Sequence, residues 1–487
     1  MHCDTSKSLY NAVLSLLILC FYSSKTAAQD DHYWAQQYGA NSTLMGGAMV
    51  GGVNDNSAVY YNPAALSFIN NPSLSIDANV YKMDKITIDD GAGEGMDLNS
   101  AQLSVYPQII SGMLNLFKSD RFRFSYAILT RNHNNVLINA RYIGKPDPGS
   151  PDTPPLPSVS FVGVYDYTNQ LTEQWFGMGI GYKISEKLGI GATFYSCYRG
   201  QSYQLTNYVR EVSGTDTSYT YGTKTVDEAI KYSTFRLIAK AGLSYITGPW
   251  KLGLTLTTPS IGLYGNGSVQ REISSIFVSE NPDAEVQNFI LADRQTDVKT
   301  NYKHPLSVAI GTDFHTDKTR IVFTAEYFFK IGTYHLMEAP AEPFFYPPTL
   351  QDSAYFKSQI DNFLHVENAA KPVFNVALGF SQVLYKNLSL LMGASTDFSS
   401  YTSPGESKEL LHGFSGFDIY HFSTGISYQR KKNTFSIGFS YAFSPAKQIP
   451  PYSVINQNPD FAGEARISSH LYAVVFGYTY FLPKFSE

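Results

Sequence analysis

Pairs of alternating runs joined by short polar turns recur along this chain, and no other feature narrows its fold so far. Within residues 434–444, Phe435, Ile437, Phe439, Tyr441 and Phe443 alternate with Ser436, Gly438, Ser440, Ala442 and Ser444. Successive side chains of a strand point to opposite faces, so one face is apolar and the other small or polar. The run before it sets Phe422, Thr424, Ile426 and Tyr428 against Ser423, Gly425, Ser427 and Gln429, and Arg430-Lys431-Lys432-Asn433 turns between the two. That is a β-hairpin. The pattern returns around Ser185-Glu186-Lys187, Gly248-Pro249, His315-Thr316-Asp317-Lys318, Tyr385-Lys386-Asn387 and Lys118-Ser119-Asp120, although the arm entering the last of these is poorly patterned. With one run at 74–80 in front and another at 471–482 behind, the chain is predicted to hold about fourteen antiparallel strands. Long connections are expected over 133–172, 200–232, 259–303, 331–372, 400–420 and 445–466, on the side opposite the short turns.

A soluble sandwich or propeller would turn the apolar face into an aliphatic core. Here that face carries Phe and Tyr near strand ends, as an interfacial girdle does. Aromatic residues reach 15% of the chain, with 36 Tyr and 32 Phe, while charged residues reach only 16%. The opposite face holds Arg123, Arg131, Lys183, Arg199, Arg236, Lys240, Asp313, Glu326 and Asp397. Charges buried dry and unpaired are costly, whereas a wet polar lumen accommodates them. The fold class predicted is therefore an all-β transmembrane antiparallel barrel. After the N-terminal segment no apolar run approaches the roughly eighteen residues of a spanning helix, which excludes a helical membrane protein. A net charge of −5 argues against a nucleic-acid surface.

Residues 1–28 read as a secretory signal: Lys7, an apolar stretch over 9–22, then Thr26-Ala27-Ala28 before Gln29. Lipid attachment at Cys20 is disfavoured by bulky Leu19 before it. Removal of the signal takes Cys3 and Cys20 with it and leaves Cys197 alone, a small strand residue with no disulfide framework around it.

Between the signal and the first strand, residues 29–72 do not alternate. Gly46-Gly47-Ala48 and Gly51-Gly52 make the segment small and flexible, Asp55-Asn56-Ser57 offers capping groups, and Pro63 biases Asn62 towards extended backbone. Tyr60, Tyr61, Leu66 and Phe68 argue against a disordered tail, and the small residues suit packing inside a lumen. The stretch from Gly47-Ala48 through Asp55 and Ser57-Ala58-Val59-Tyr60-Tyr61 to Asn62-Pro63-Ala64-Ala65-Leu66 resembles the N-terminal hatch of the long-chain fatty acid transporter family, the FadL-like proteins, which includes aromatic-hydrocarbon channels. Thr258-Pro259-Ser260 and His304-Pro305 also resemble recurrent positions of that family.

The resemblance implies a fourteen-stranded barrel (residues 73–487) with long extracellular loops, plugged by a hatch (29–72), in the bacterial outer membrane. It implies passive uptake of hydrophobic compounds, either long-chain fatty acids or aromatic hydrocarbons, through loop binding, hatch gating and lateral exit through the wall. Asp55, Asn62, Pro63 and Ala64 become candidate gate residues, and Tyr38 a candidate ligand contact. Phe344, Phe345 and Tyr346, within Pro343 to Pro348, form an apolar landing site or the packed core of a loop cap. The lateral opening is assigned to no strand, because a kink leaves no dependable mark in sequence. The partners implied are a hydrophobic small-molecule ligand, outer-membrane lipid and the barrel assembly machinery for insertion, with no cofactor, metal or nucleic acid.

Catalysis has no support in motifs. His133, His315, His335, His365, His412 and His421 are scattered over turns and loops, and neither G-x-S-x-G nor H-E-x-x-H occurs. A general diffusion porin conflicts with a plugged lumen. The stronger rival is a barrel serving the assembly or attachment of secreted or surface proteins.

Overall fold

In the computed structural model the structure describes residues 32–69, 72–92, 95–114, 121–144, 160–215, 218–279, 288–339, 363–402, 416–449 and 464–482. The signal segment and Phe344, Phe345 and Tyr346 lie outside them.

Fourteen antiparallel strands close into a barrel. In chain order around the wall these are β1 (Ser73–Asp89), β2 (Leu98–Leu114), β3 (Phe122–Gly144), β4 (Ser160–Lys183), β5 (Leu188–Thr215), β6 (Ser218–Thr247), β7 (Trp250–Thr257), β10 (Ser307–His315), β11 (Thr319–Phe328), β14 (Val373–Tyr385), β15 (Leu388–Asp397), β16 (Ile419–Arg430), β17 (Asn433–Ile449) and β18 (Ala465–Phe481). β18 returns to β1, and β5 pairs with β6, so the ring has no edge. Two further strands, β8 (Ile261–Ser279) and β9 (Phe289–Lys299), extend the wall above β7 and β10, and β12 (Ile331–Met337) pairs with β13 (Val366–Ala370) as a separate two-stranded sheet.

The alternation has the cause read from sequence. On β5, Ile190, Phe194 and Tyr198 face outward, while Thr193, Tyr195 and Cys197 are buried. From Leu188 to Tyr198 the strand rises about 34 Å, or about 26 Å along the axis at a tilt near 40°. That height matches the apolar band of a transmembrane barrel, about 25 Å. Aromatic pairs edge the band at the short-turn end, with ring centroids 4.7 Å apart for Phe122–Tyr182, 4.8 Å for Trp250–Phe314 and 4.9 Å for Phe435–Tyr478.

Three expected loops are strands. Residues 133–172, 200–232 and 259–303 are largely occupied by β3 to β6, β8 and β9, which continue past the apolar band. Above it the apolar positions change face: on β5, Tyr203, Leu205 and Val209 are buried, while Ser202, Gln204 and Thr206 sit on the outer face. Water replaces lipid outside, so hydrophobic burial moves inward. Ile138, Tyr167, Tyr203, Val269, Leu336, Phe363 and Phe417 belong to the core that fills this upper barrel.

The interior is packed rather than a wet lumen. Arg123, Arg131, Arg199, Arg236, Lys240, Asp313, Glu326 and Asp397 do point inward, but they are buried against protein. They are tolerated there because most of them are paired or hydrogen-bonded to carboxylates or backbone carbonyls.

Candidate functional site

Residues 32–69 lie inside the barrel and follow its wall. Ala40 packs against Gly477 on β18, Leu44 against Gly425 and Gly438 on β16 and β17, Met45 against Gly379 on β14, Gly51 against Gly311 on β10, and Pro63 against Gly191 on β5. All these wall glycines sit within about six residues of the short turns, so the segment lies towards that end of the barrel. They act as missing side chains. A Cβ built on Gly311 falls 2.5 Å from the Gly51 nitrogen, and one built on Gly379 falls 2.6 Å from the Met45 oxygen. Gly46 and Gly47, at φ of 69° and 76°, turn the segment where L side chains are strained.

Asn62 fastens this segment to itself and to the wall. Its carboxamide oxygen accepts from the Ala64 N–H at 3.1 Å, capping the 3-10 helix Pro63–Phe68, which begins on the proline that needs no donor. Its Nδ2 donates to the Val50 carbonyl at 2.9 Å and to the Leu243 carbonyl of β6 at 3.0 Å. Asp55 Oδ1 accepts from the Ser57 N–H at 2.9 Å and from the Ser57 hydroxyl, which begins the helix Ala58–Tyr61. Replacing Asn62 and Pro63 together by alanine removes the three bonds of the Asn62 carboxamide, each worth about 1 kcal/mol net. The barrel should still insert and show heat-modifiable mobility, while the seating of the inner segment loosens, read as faster limited proteolysis within residues 32–69. A double variant that fails to fold would assign the motif to structure alone.

The leading end of the segment is held by carboxylates. The Trp34 N–H donates to Asp397 at 2.9 Å, and the Trp34 indole donates to Glu326 at 2.8 Å, which also accepts from Ser307 at 2.7 Å. Arg131 donates to the Tyr33 carbonyl. His32 Nδ1 stands 3.3 Å from Asp397. Nearby, Glu173 joins Arg199 at 2.8 Å and Arg236 at 2.7 Å and accepts from the Trp175 indole at 2.7 Å. Tyr302 covers both guanidinium groups, 3.9 Å and 4.7 Å from ring centroid to Cζ. Glu173→Gln leaves two buried cations without their anion, a loss of about 3–5 kcal/mol. The temperature at which the heat-modifiable band shifts should therefore fall clearly.

One seam of the wall is split. The backbone ladder between β2 and β3 runs from Leu114↔Phe124 to Ile109↔Leu129 and, among the described residues, goes no further. Pro107 has no N–H to donate, and β3 shifts register between Thr130 and Asn132. β1 shifts twice opposite the same place, at Asp77/Ala78 and Asn79/Lys82. Above the split, among the described residues, side chains bridge the strands: Thr130 to the Pro107 carbonyl at 2.9 Å, Asn135 to Gln102 at 3.4 Å, and Ser100 accepting from the Leu137 N–H at 3.1 Å. A cavity of about 90 Å³ opens behind the seam, lined by Tyr106, His133 and Asn135 of the wall and by His32, Ala35 and Gln36 of the inner segment. The Tyr106 and His133 rings lie 4.6 Å apart across the seam.

Of the residues singled out in the sequence, Asn62, Pro63 and Ala64 meet β5 and β6, and Asp55 stays within the segment. Tyr38 is fully buried, edge-on to Tyr60 at 4.4 Å, and is not among the cavity-lining residues. Burial pushes its hydroxyl pKa up, against the opposing pull of Arg131. Sequence reading missed Glu173, Trp34, His32 and Tyr106. Thr258-Pro259-Ser260 and His304-Pro305 face each other where β7 gives way to β8, the His304 N–H donating to the Ser260 hydroxyl at 2.8 Å. Among the described residues no group of His, Cys, Asp and Glu is placed to hold a metal ion.

A fourteen-stranded antiparallel barrel with an outward apolar band and its own N-terminal residues inside defines the class: a transmembrane β-barrel. Solved structures narrow it to the FadL-like fold. The toluene transporter TodX of Pseudomonas putida superposes at a TM-score of 0.55 with 14% identity, over 93% of this chain and 100% of that one. A Pseudomonas aeruginosa FadL homologue gives 0.56 with 12% identity, over 94% and 99%. The toluene transporter TbuX of Ralstonia pickettii gives 0.56 with 12% identity, over 93% and 100%. No family model and no curated protein matches the sequence.

Proposed function

We propose that the chain is an outer-membrane channel for passive uptake of hydrophobic compounds, long-chain fatty acids or aromatic hydrocarbons. Residues 29–72 act as its hatch, and cargo leaves sideways between β2 and β3. One observation carries this reading: the N-terminal segment lies inside the barrel, while the β2–β3 seam, whose backbone ladder stops at Ile109↔Leu129, adjoins the cavity. A hydrophobic molecule gains nothing by crossing to water on the far side and is stabilised by re-entering lipid. The cavity, about 90 Å³, is smaller than the about 150 Å³ that takes up one benzene ring, so the passage widens as cargo moves through it. The likeness to hydrocarbon transporters supports the same cargo class and the bacterial outer membrane as location.

On this reading Asn62, Pro63 and Ala64 couple hatch to wall and Asp55 keeps the hatch folded. Outer-membrane lipid receives the cargo, and the barrel assembly machinery inserts the chain. Phe344, Phe345 and Tyr346 remain proposed landing residues. The test is a structure determined with toluene or a long-chain fatty acid present. Ligand density beside Tyr106, His133 and Gln36 is expected; density confined to the outer surface would contradict the route.

A further inference from the structure

The outer face of a closed barrel is convex, yet here it is indented just above the apolar band by a cleft of about 630 Å³, within the about 300–1,000 Å³ of small-molecule sites. Small residues make the hollow. Gly200 and Ser202 on β5, Ser233 on β6 and Ser268 on β8 leave the outer surface thin. The β8–β9 ladder shifts register between Gly267 and Val269. Opposite that shift, Asp297 is held at φ 61°, a conformation uncommon outside glycine, and it accepts a hydrogen bond from Asn266 at 3.2 Å.

The lining chemistry identifies an occupant. Gln170, Ser202, Asn266 and Thr296 offer amides and hydroxyls that both donate and accept. Lys231 and Asp297 are the charged residues of the lining, one of each sign, so the cleft has no surplus charge for a phosphate cluster. Tyr198, 37% exposed, and Tyr264, 60% exposed, stand at its lower rim, with Phe235 and Leu237 exposed beneath them. Such amphipathic rings mark the level where lipid meets water. We propose that this cleft binds the saccharide headgroup of an outer-leaflet glycolipid, whose acyl chains lie on the apolar band below. The assignment rests on the membrane orientation given above and is independent of the cargo.

The test uses the full-length mature protein, delipidated in neutral detergent. Lipopolysaccharide, its deacylated polysaccharide and phosphatidylethanolamine are added separately and bound copies are counted by native mass spectrometry. Ser233→Trp, which fills the cleft, and Asn266→Ala should each weaken lipopolysaccharide binding about tenfold, the factor expected from losing one or two hydrogen bonds. The polysaccharide alone should bind more weakly but show the same sensitivity, and phosphatidylethanolamine should be indifferent to both variants. Heat-modifiable mobility reports folding; should Ser233→Trp not fold, Asn266→Ala and Lys231→Ala decide. Wild-type lipopolysaccharide affinity in the folded variants, or equal displacement by phosphatidylethanolamine, would overturn the site. Flotation with liposomes separates the two readings. Protein that floats yet ignores the glycolipid refutes the cleft alone, whereas protein that does not float refutes the membrane placement as well.

Discussion

With Gln102→Cys and Asn135→Cys joined by a cleavable bifunctional thiol reagent, uptake of labelled hydrophobic compounds should fall at least about tenfold and recover when the reagent is cleaved. The expectation follows from what holds that seam together. Below Ile109↔Leu129 the strands share a backbone ladder, and above it they are bridged by side chains, among them Asn135 to Gln102 at 3.4 Å. A side-chain bond of this kind contributes only about 0.5–1.5 kcal/mol net, so the upper seam is held more weakly than the laddered part below it. A covalent bridge removes that weakness without touching the hatch. Cys197 is fully buried, so the reagent acts on the introduced thiols. Treated wild-type protein serves as control, and unchanged uptake in the locked variant would move the exit elsewhere.

Gly311→Leu should convert a silent barrel into an open pore. The leucine would meet the backbone of Gly51, not a side chain able to rotate away, with its Cβ 2.5 Å from the Gly51 nitrogen. Overpacking commonly costs about 1–3 kcal/mol where neighbours can shift, and a backbone contact is less forgiving. The strand itself accepts leucine, since Gly311 keeps ordinary extended pairing with Gly253 and Thr324. The inner segment therefore yields before the wall does. Single-channel recording in planar bilayers should show conductance about an order of magnitude above wild type. A folded variant that stays as silent as wild type would mean the glycines do not seat the segment.

How much of this was legible in the sequence depends on the solvent each residue meets. Where lipid surrounds the wall, Phe435, Ile437, Phe439 and Tyr441 had to alternate with small residues, and the strands and short turns follow. Past Tyr198 the apolar residues change face, so a search for one continuous phase stops there and takes β5 and β6 for a loop. The bulge at Thr130/Asn132 does the same to β3, moving burial from Leu129 to Val136 and Ile138. Inward glycines such as Gly425 and Gly438 were visible as a small face; that they seat Leu44 depends on contacts nearly four hundred residues apart in sequence. Inward charges were found, but their partners were not. Glu173 stands just past the stretch read as loop, 133–172, and was not singled out, so Arg199 and Arg236 seemed to need water. The split had one mark, Pro107 in a poorly patterned arm, and a proline marks a broken ladder only once its neighbour strand is known.

The central claim is lateral uptake of hydrophobic compounds, and transport in cells tests it most directly. In a strain lacking the gene, uptake of labelled long-chain fatty acids and of monoaromatics is measured, then again with the wild-type chain or the thiol-locked variant restored. Uptake of at least one class should fall on deletion, return with the wild-type chain and stay low with the locked seam. Unchanged uptake of both classes, together with loss of a secreted or surface protein, would contradict the claim and favour an assembly role.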